Sequence, residues 1–195
     1  MKRLLTVLAI AMIPCIASAS HIQFSQITVD NGLSSNTVKT FSRDSFGRLW
    51  VGTTNGADLI SNGKIREFKS FSIDGHTVIA GDILSVGCAS RAIIATDDHI
   101  LDFDPDMEKS YAVRLNGENL TTDYILMDGD DAYFFCKQNS AMMKYSMNDT
   151  AVKIITQFPV EMEYQFSKYF KVPGNDSRIL LIEDNQGVFI LDLTN

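Results

Sequence analysis

One repeated unit constrains the fold of this chain more than any other feature: a short apolar strand, a polar turn and a second short strand. The four copies of this unit start at Arg48, Arg91, Ala132 and Arg178. Aligned on Thr53, Thr96, Cys136 and Glu183, successive copies lie 43, 40 and 47 residues apart. A period of about 40–50 residues is typical of a β-propeller, in which each repeat forms one four-stranded sheet, or blade. The repeat therefore predicts an all-β fold.

Further short strands flank each copy and complete the predicted blades. Inner strands are expected at residues 37–42, 81–86, 123–127 and 165–170. Outer strands are expected at residues 64–69, 111–115 and 151–155. The turn residues favour tight reversals, and Asn62-Gly63 is a strong hairpin signal. Middle strands, such as the one containing Ile93-Ile94, are apolar on both faces, as expected for sheets that lie between neighbouring blades.

The predicted blades occupy approximately residues 30–70, 75–117, 121–158 and 163–195, and the last lacks its outer strand. We therefore predict a β-propeller of four-stranded antiparallel blades that is incomplete and open. Two explanations of the missing strand remain. Residues 24–28 supply it in a complete four-bladed ring, or the chain is the front part of a longer propeller. The second is favoured because four-bladed rings lie at the lower end of the size range.

The first residues have the pattern of a secretory signal peptide. Lys2 and Arg3 give a short basic start, residues 4–16 are almost wholly apolar, and Ala17-Ser18-Ala19 offers a cleavage site. The apolar run is too short to span a bilayer, which takes about 20 residues. We predict a signal peptide over residues 1–19, cleaved after Ala19. The mature protein is then exported and periplasmic, with no membrane span.

The charge balance bears on the choice of partner. Without Lys2 and Arg3 the mature chain keeps 15 basic against 24 acidic residues, a formal net charge of −9. Nucleic acids and anionic lipids bind basic surfaces. We therefore expect no nucleic acid and no membrane surface as partner, and a ligand that is neutral or uncharged.

No residue pattern predicts a catalytic or metal site. Residues 102–106 begin like a calcium loop, but Met107 and Val113 stand where an EF-hand has glycine and glutamate. The histidines are His21 near the N-terminus, His76 in a predicted linker and His99 at a predicted turn tip, where we expect it to be exposed. None of them has a second ligand at metal spacing. Motifs of nucleophilic, phosphate-binding and zinc-protease sites are absent from the sequence. We predict no catalytic residue, no metal and no cofactor, although counting carboxylates does not exclude a glycosidase pair.

Two cysteines remain after cleavage of the signal peptide. Cys88 lies in a predicted turn, and Cys136 lies in a predicted strand of another repeat. A disulfide requires a specific geometry between them. The sequence leaves open whether they form a bridge or two small buried thiols.

The most specific motif lies in the first repeat. It reads DNGLSSNTV over residues 30–38 and DSFGRLWVGTTNG over residues 44–56. The residues that define it are Asp44, Gly47, Trp50, Gly52, Thr53, Asn55 and Gly56. We expect them to serve the fold: a turn, a space-filling indole, a close approach of another backbone at Gly52, and a hairpin. The ligand-binding residues remain unknown.

This motif resembles the repeat of the two-component regulator propeller family. The resemblance implies the start of the periplasmic sensor of a Bacteroidetes hybrid histidine kinase, which responds to oligosaccharides and can form a homodimer at full length. The chain itself contains no kinase motif. Two alternatives stay open: a stand-alone secreted propeller that binds glycan or protein, and a propeller enzyme that acts on polysaccharide. The DNA downstream of codon 195 distinguishes the first two, because a sensor gene continues into further blades and a kinase.

Overall fold

The computed structural model describes residues 25–160, 164–183 and 187–194, apart from the side chain of Asp176. The predicted signal peptide, its cleavage site and Phe24 lie outside these residues. The described chain forms four small antiparallel sheets, which stand side by side around an axis in an open ring. The predicted all-β, open propeller fold is confirmed.

Each sheet is a meander of consecutive strands, numbered here as blades 1 to 4. Blade 1 contains β1 (Val38–Arg43), β2 (Leu49–Thr53), β3 (Gly56–Ser61) and β4 (Lys64–Phe68). Blade 2 contains β7 (Ile83–Cys88), β8 (Ala92–Thr96), β9 (Ile100–Asp104) and β10 (Lys109–Ala112). Blade 3 contains β13 (Leu126–Asp128), β14 (Asp131–Cys136), β15 (Ala141–Ser146) and β16 (Ala151–Gln157). Blade 4 contains β17 (Phe166–Val172), β18 (Asn175–Glu183) and β19 (Gly187–Asp192).

The blades are held together by apolar layers between their faces. Strand β8 shows why its sequence is apolar throughout. Ile94 packs into the layer between blades 1 and 2, whereas Ile93 and Ala95 pack into the layer on the other side, with blade 3. All five residues of β8 are buried. Neither face of such a strand meets water, so the alternation of a half-exposed strand is absent.

Two short hairpins between the blades were not predicted. Strands β5 (Ser70–Ile73) and β6 (His76–Ile79) follow blade 1, and β11 (Arg114–Leu115) and β12 (Glu118–Asn119) follow blade 2. The prediction of an outer strand over residues 111–115 was therefore wrong in its bounds. Val113, whose amide donates to the Ile100 carbonyl, separates β10 from β11, which pairs with β12 instead.

Three further local expectations need correction. His76, expected in a linker, is the first residue of β6. Cys88, expected in a turn, ends strand β7. His99, expected to be exposed at a turn tip, is half-buried, and its Nδ1 atom is buried with no hydrogen-bond partner among the residues that the structure describes.

The two ends of the open ring differ. On blade 1, the segment that follows the 3-10 turn at Val29–Asn31 covers part of the free face, where Ser34 donates to Asp58 of β3, and residues 25–28 form no strand. On blade 4, cross-strand pairing places Phe170, Leu180, Ile182, Val188 and Ile190 on one sheet face. Val188 and Ile190 are 63% and 65% exposed there. The described residues include no helix with the length and hydropathy that a bilayer span requires.

Candidate functional site

The predicted motif residues at the first turn hold the chain between β1 and β2. The buried Asp44 carboxylate accepts hydrogen bonds from the amides of Phe46 (3.0 Å) and Arg48 (2.9 Å). The Arg48 Nε atom also donates to it, at 2.7 Å. The Gly47 amide closes the turn by donating to the Asp44 carbonyl at 3.0 Å. Because all these partners are local, Asp44 fixes a turn and is not directed at a ligand.

Trp50 and Gly52 lie at the interface between blades 1 and 2. The Trp50 ring is fully buried, stacks on Phe68 at 5.6 Å between centroids, and meets Phe103 of blade 2 edge-on at 6.1 Å. A Cβ atom at Gly52 would lie 2.6 Å from the Ile83 Cγ2 atom. The close neighbours of Gly52 are thus the side chains of Ile83 and Thr40, and not the backbone that we expected.

The remaining motif residues close the β2–β3 hairpin. The Thr53 hydroxyl donates to the Gly56 carbonyl at 2.9 Å and accepts from the Asn55 amide at 3.1 Å. The Asn55 side chain donates to the Ser34 carbonyl at 3.2 Å. Gly56 has a φ of 114°, and a Cβ atom there would lie 2.6 Å from the Phe68 carbonyl oxygen. These contacts tie the hairpin to the segment that covers blade 1.

The sequence did not identify two buried carboxylates that connect separate parts of the chain. Asp58, on β3, accepts from the Ser34 hydroxyl at 2.6 Å and from its amide. Burial raises the pKa of the Asp58 carboxyl, and the Ser34 hydrogen bonds act in the opposite direction. A polar residue amid the apolar strand Gly56–Ser61 is the available signal, since buried carboxylates are normally paired.

Asp102 links blades 2 and 3. Its fully buried carboxylate accepts from Arg91 Nε and Nη2, at 2.7 and 2.6 Å, and from the Tyr145 hydroxyl at 2.7 Å. Burial, followed by the hydrogen bond to Asp102, raises the pKa of the Tyr145 hydroxyl. Asp104 instead caps its own turn, and Asp106 faces Arg48 of blade 1. The carboxylates of residues 102–106 therefore point apart, and the described residues hold no cluster suited to a metal ion.

A groove at the outer edge of blades 1 and 2 is the candidate ligand site. It consists of three adjoining clefts of about 460, 350 and 180 Å³, which we call the rim groove. The first two clefts share Arg66, and the first and third share Ser72 and Glu108. The unpredicted β5–β6 hairpin forms one wall, and it is anchored where the Ser110 hydroxyl donates to the Ser72 carbonyl at 2.6 Å.

Blade 2 reaches over this groove through the turn between β9 and β10. Arg66 Nη2, on β4, donates to the Pro105 carbonyl at 2.8 Å and to the Glu108 carboxylate at 3.0 Å. Arg48 Nη1 pairs with Asp106 at 3.1 Å. We call these contacts the arginine clasp. The clasp gives the acidic turn, which resembled part of a calcium loop, a role between two blades.

The two cysteines of the described chain are free and buried. Burial raises the pKa of the Cys88 thiol to about 12. This thiol is therefore protonated at neutral pH and is a poor nucleophile. The buried-thiol interpretation holds for both residues.

Comparisons with known proteins agree with the fold and with the motif. The sequence profile of the Two component regulator propeller family matches residues 32–55. A crystal structure of the extracellular domain of the hybrid two component system BT3049 from B. thetaiotaomicron superposes with a TM-score of 0.65 at 16% identity. The match covers 88% of this chain and 25% of that domain, so the chain spans about a quarter of its length.

Two further structures share the fold. The extracellular domain of BT4673, a hybrid two component system from the same organism, gives a TM-score of 0.61 at 18% identity, over 82% of this chain and 21% of that one. An auxiliary nutrient binding protein from Bacteroides thetaiotaomicron gives 0.55 at 9% identity, over 81% of this chain and 46% of that one. No curated protein sequence matches the chain.

Proposed function

Since this chain carries a two component regulator propeller repeat within the predicted propeller fold, we propose that it is the extracytoplasmic sensing module of a two-component regulator. The match of residues 32–55 carries this proposal, because the fold alone hosts many functions. The predicted resemblance to the family is confirmed at that repeat. The extracellular domains of BT3049 and BT4673, which share the fold, belong to hybrid two component systems.

The proposed mechanism is non-enzymatic. An oligosaccharide binds the propeller and changes the relative free energies of two arrangements of the domain. The resulting change in domain arrangement passes to the kinase of the full-length sensor, which acts as a homodimer. The rim groove supports this because it crosses a blade interface, so that a ligand there contacts two blades at once.

Export to the periplasm is part of the same proposal. A sensing module needs access to ligands outside the cytoplasm, and the predicted signal peptide over residues 1–19 provides it. Mass spectrometry of the protein isolated from its native host tests this point. We expect a mature N-terminus at Ser20, and a chain that retains Met1 contradicts it.

The test of the sensing role is deletion of the coding sequence in the native bacterium. RNA sequencing then measures gene induction by a panel of polysaccharides. We expect induction by one polysaccharide to be lost while transcription without polysaccharide is unchanged. Retained induction with lower glycan binding at the cell favours a stand-alone binding protein, for which the shared fold of the auxiliary nutrient binding protein is the supporting observation. Retained induction with lower polysaccharide hydrolysis favours the enzyme.

A further inference from the structure

We infer that the rim groove selects an acidic oligosaccharide and binds its carboxylate or sulfate group at Arg66; the saccharide part of this inference rests on the proposed function. The whole chain is acidic, with a formal net charge of −7. The groove has the opposite balance. Its basic lining residues are Arg48, Lys64, Arg66, Lys69 and Lys109. Its acidic lining residues are Glu67, Asp106 and Glu108. Asp44, just behind the lining, also pairs with Arg48, so the positive excess comes from Lys64 and Lys109.

This local excess of positive charge revises the expectation of an uncharged ligand. Net charge describes the average surface, whereas a cleft concentrates the field of the residues that line it. Lys64 and Lys109 form no ion pair within residues 25–160, 164–183 and 187–194. An anionic ligand is therefore attracted to the groove even though the protein as a whole repels it.

Arg66 is prepared for such a ligand. Its guanidinium lies over the Phe68 ring, 5.2 Å from the centroid, and its Nη2 atom donates to Pro105 and Glu108. These contacts fix the plane of the group. The Nε and Nη1 donors have no partner among the described residues. A bidentate pair with a carboxylate or sulfate needs Nη2 together with either Nε or Nη1, so it forms when the ligand anion replaces Glu108 at Nη2. Such a pair is stronger and more directional than the point charge of a lysine.

The arginine clasp offers the ligand a site that an internal carboxylate already occupies. The side chain of Glu108 is 71% exposed and that of Asp106 is 65% exposed. Exposed ion pairs contribute little to stability, so exchanging Glu108 for a ligand anion costs the fold little. The exchange removes one of the contacts of the arginine clasp that hold the β9–β10 turn against blade 1. An acidic ligand at Arg66 thus changes a contact between two blades, which a neutral sugar does not.

The rest of the groove suits a sugar. The cleft beside Arg66 has a volume of about 460 Å³, within the range of about 300–1,000 Å³ for small-molecule pockets. Its lining contains the hydroxyl residues Ser70, Ser72 and Thr77, and the aromatic residues Phe68, Phe71 and Phe103. The hydroxyl groups are exposed and can donate to and accept from those of a pyranose, whereas the three rings are at most 8% exposed and form the floor of the cleft.

Biolayer interferometry of the immobilised mature chain tests the inference. The probes are tetragalacturonate, its fully methyl-esterified counterpart, and a sulfated chondroitin tetrasaccharide. We expect at least one acidic probe to bind about tenfold or more tightly than the ester, as one charge-assisted bidentate pair provides. In Arg66→Gln we expect the difference in affinity between the acidic probe and the ester to disappear. Glu108→Gln increases affinity for the acidic probe, because the competing carboxylate is gone.

The matched control is Arg178→Gln. Arg178 also forms an exposed pair with a carboxylate, Asp192, but lies on blade 4 away from the groove. The substitution removes the same charge as Arg66→Gln, and we expect no change in affinity for the acidic probe. Circular dichroism verifies that each variant is folded.

Three results overturn the inference: equal binding of acid and ester, no binding of either acidic probe, or equal losses in Arg66→Gln and Arg178→Gln. If the chain binds only neutral oligosaccharides, the inferred charge selectivity is wrong, but the proposed sensing role still stands. That role fails separately, if induction by every polysaccharide survives deletion of the coding sequence.

Discussion

The contact between Trp50 and Phe103 allows the packing of adjacent blades to be measured in solution. Trp50 is fully buried and contacts one aromatic ring in its own blade and one in blade 2. Replacing a buried aromatic residue by alanine costs about 3–5 kcal/mol. Trp50→Leu keeps part of the apolar volume, so we expect a loss of about 2–4 kcal/mol in the free energy of unfolding. Phe103→Leu should cost about 1–3 kcal/mol.

The double variant reports the inter-blade contact itself. An aromatic pair contributes about 0.5–1.5 kcal/mol beyond the area that it buries. Trp50→Leu with Phe103→Leu should therefore cost less than the sum of the single changes by about this amount. Urea denaturation followed by far-UV circular dichroism measures it, since the variant lacks the chain's single tryptophan.

The control cycle pairs Trp50→Leu with Phe135→Leu. Phe135 is as buried as Phe103 but belongs to the other core cluster, around blade 3. These two changes should add within about 0.5 kcal/mol, as distant sites do. Additivity in the Trp50–Phe103 cycle as well would refute the packing of blade 1 against blade 2 through these rings.

Tyr145→Phe should lower the free energy of unfolding by about 1–3 kcal/mol, because buried Asp102 loses a donor; urea denaturation checks this, and an unchanged midpoint contradicts it. Burial raises the pKa of Cys88 from 9.0 to about 12, so the thiol ionises at a lower pH in the unfolded chain than in the folded one. Ionisation of Cys88 therefore lowers the free energy of unfolding as the pH rises from 9 to 12. In a Cys136→Ala background, Cys88 should resist a thiol reagent at pH 9 until urea is added, and rapid native labelling contradicts its burial. The exposed apolar face of blade 4 should cause the chain to self-associate in sedimentation velocity, and Val188→Lys with Ile190→Lys should reduce this self-association. The control Ile79→Lys replaces a 75% exposed residue outside the blade 4 face and should not reduce it. Equal effects of the two changes exclude the blade 4 face as the cause.

The blades could be predicted because their information is local. Asn62 and Gly63, which marked a hairpin, both have positive φ angles, 51° and 72°, as such a turn requires. Ile93 and Ile94 marked a strand that is buried on both faces, and they pack into different cores. Spacing, turn residues and two-sided apolar strands together specify a blade without reference to its neighbours.

The small hairpins were predictable in principle and were missed. Asp74 and Gly75 join β5 to β6 with φ angles of 52° and 79°, and Asn116-Gly117 joins β11 to β12. Both dipeptides are strong hairpin signals. The expectation of a regular four-stranded repeat assigned these segments to linkers and outer strands, so the strands of four and two residues that they connect were passed over.

The candidate site was not predictable, because its residues meet only once the blades are placed. Arg66 and Glu108 are separated by 42 positions, and Asp102 and Tyr145 by 43. Separations close to one repeat place these residues on neighbouring blades, but no local pattern shows which side chains face each other. The charge of the rim groove likewise arises from two blades, and the average composition of the chain conceals it.

Hydrogen–deuterium exchange of the mature chain, with and without the tetrasaccharide that binds most tightly, locates the input site. If the signal enters at the rim groove, amides of residues 64–72 and 105–110 change their exchange rates on binding, while those of blade 4 do not. Changes confined to blades 3 and 4, or to the inner strands, would place the ligand elsewhere and contradict the assignment of the groove.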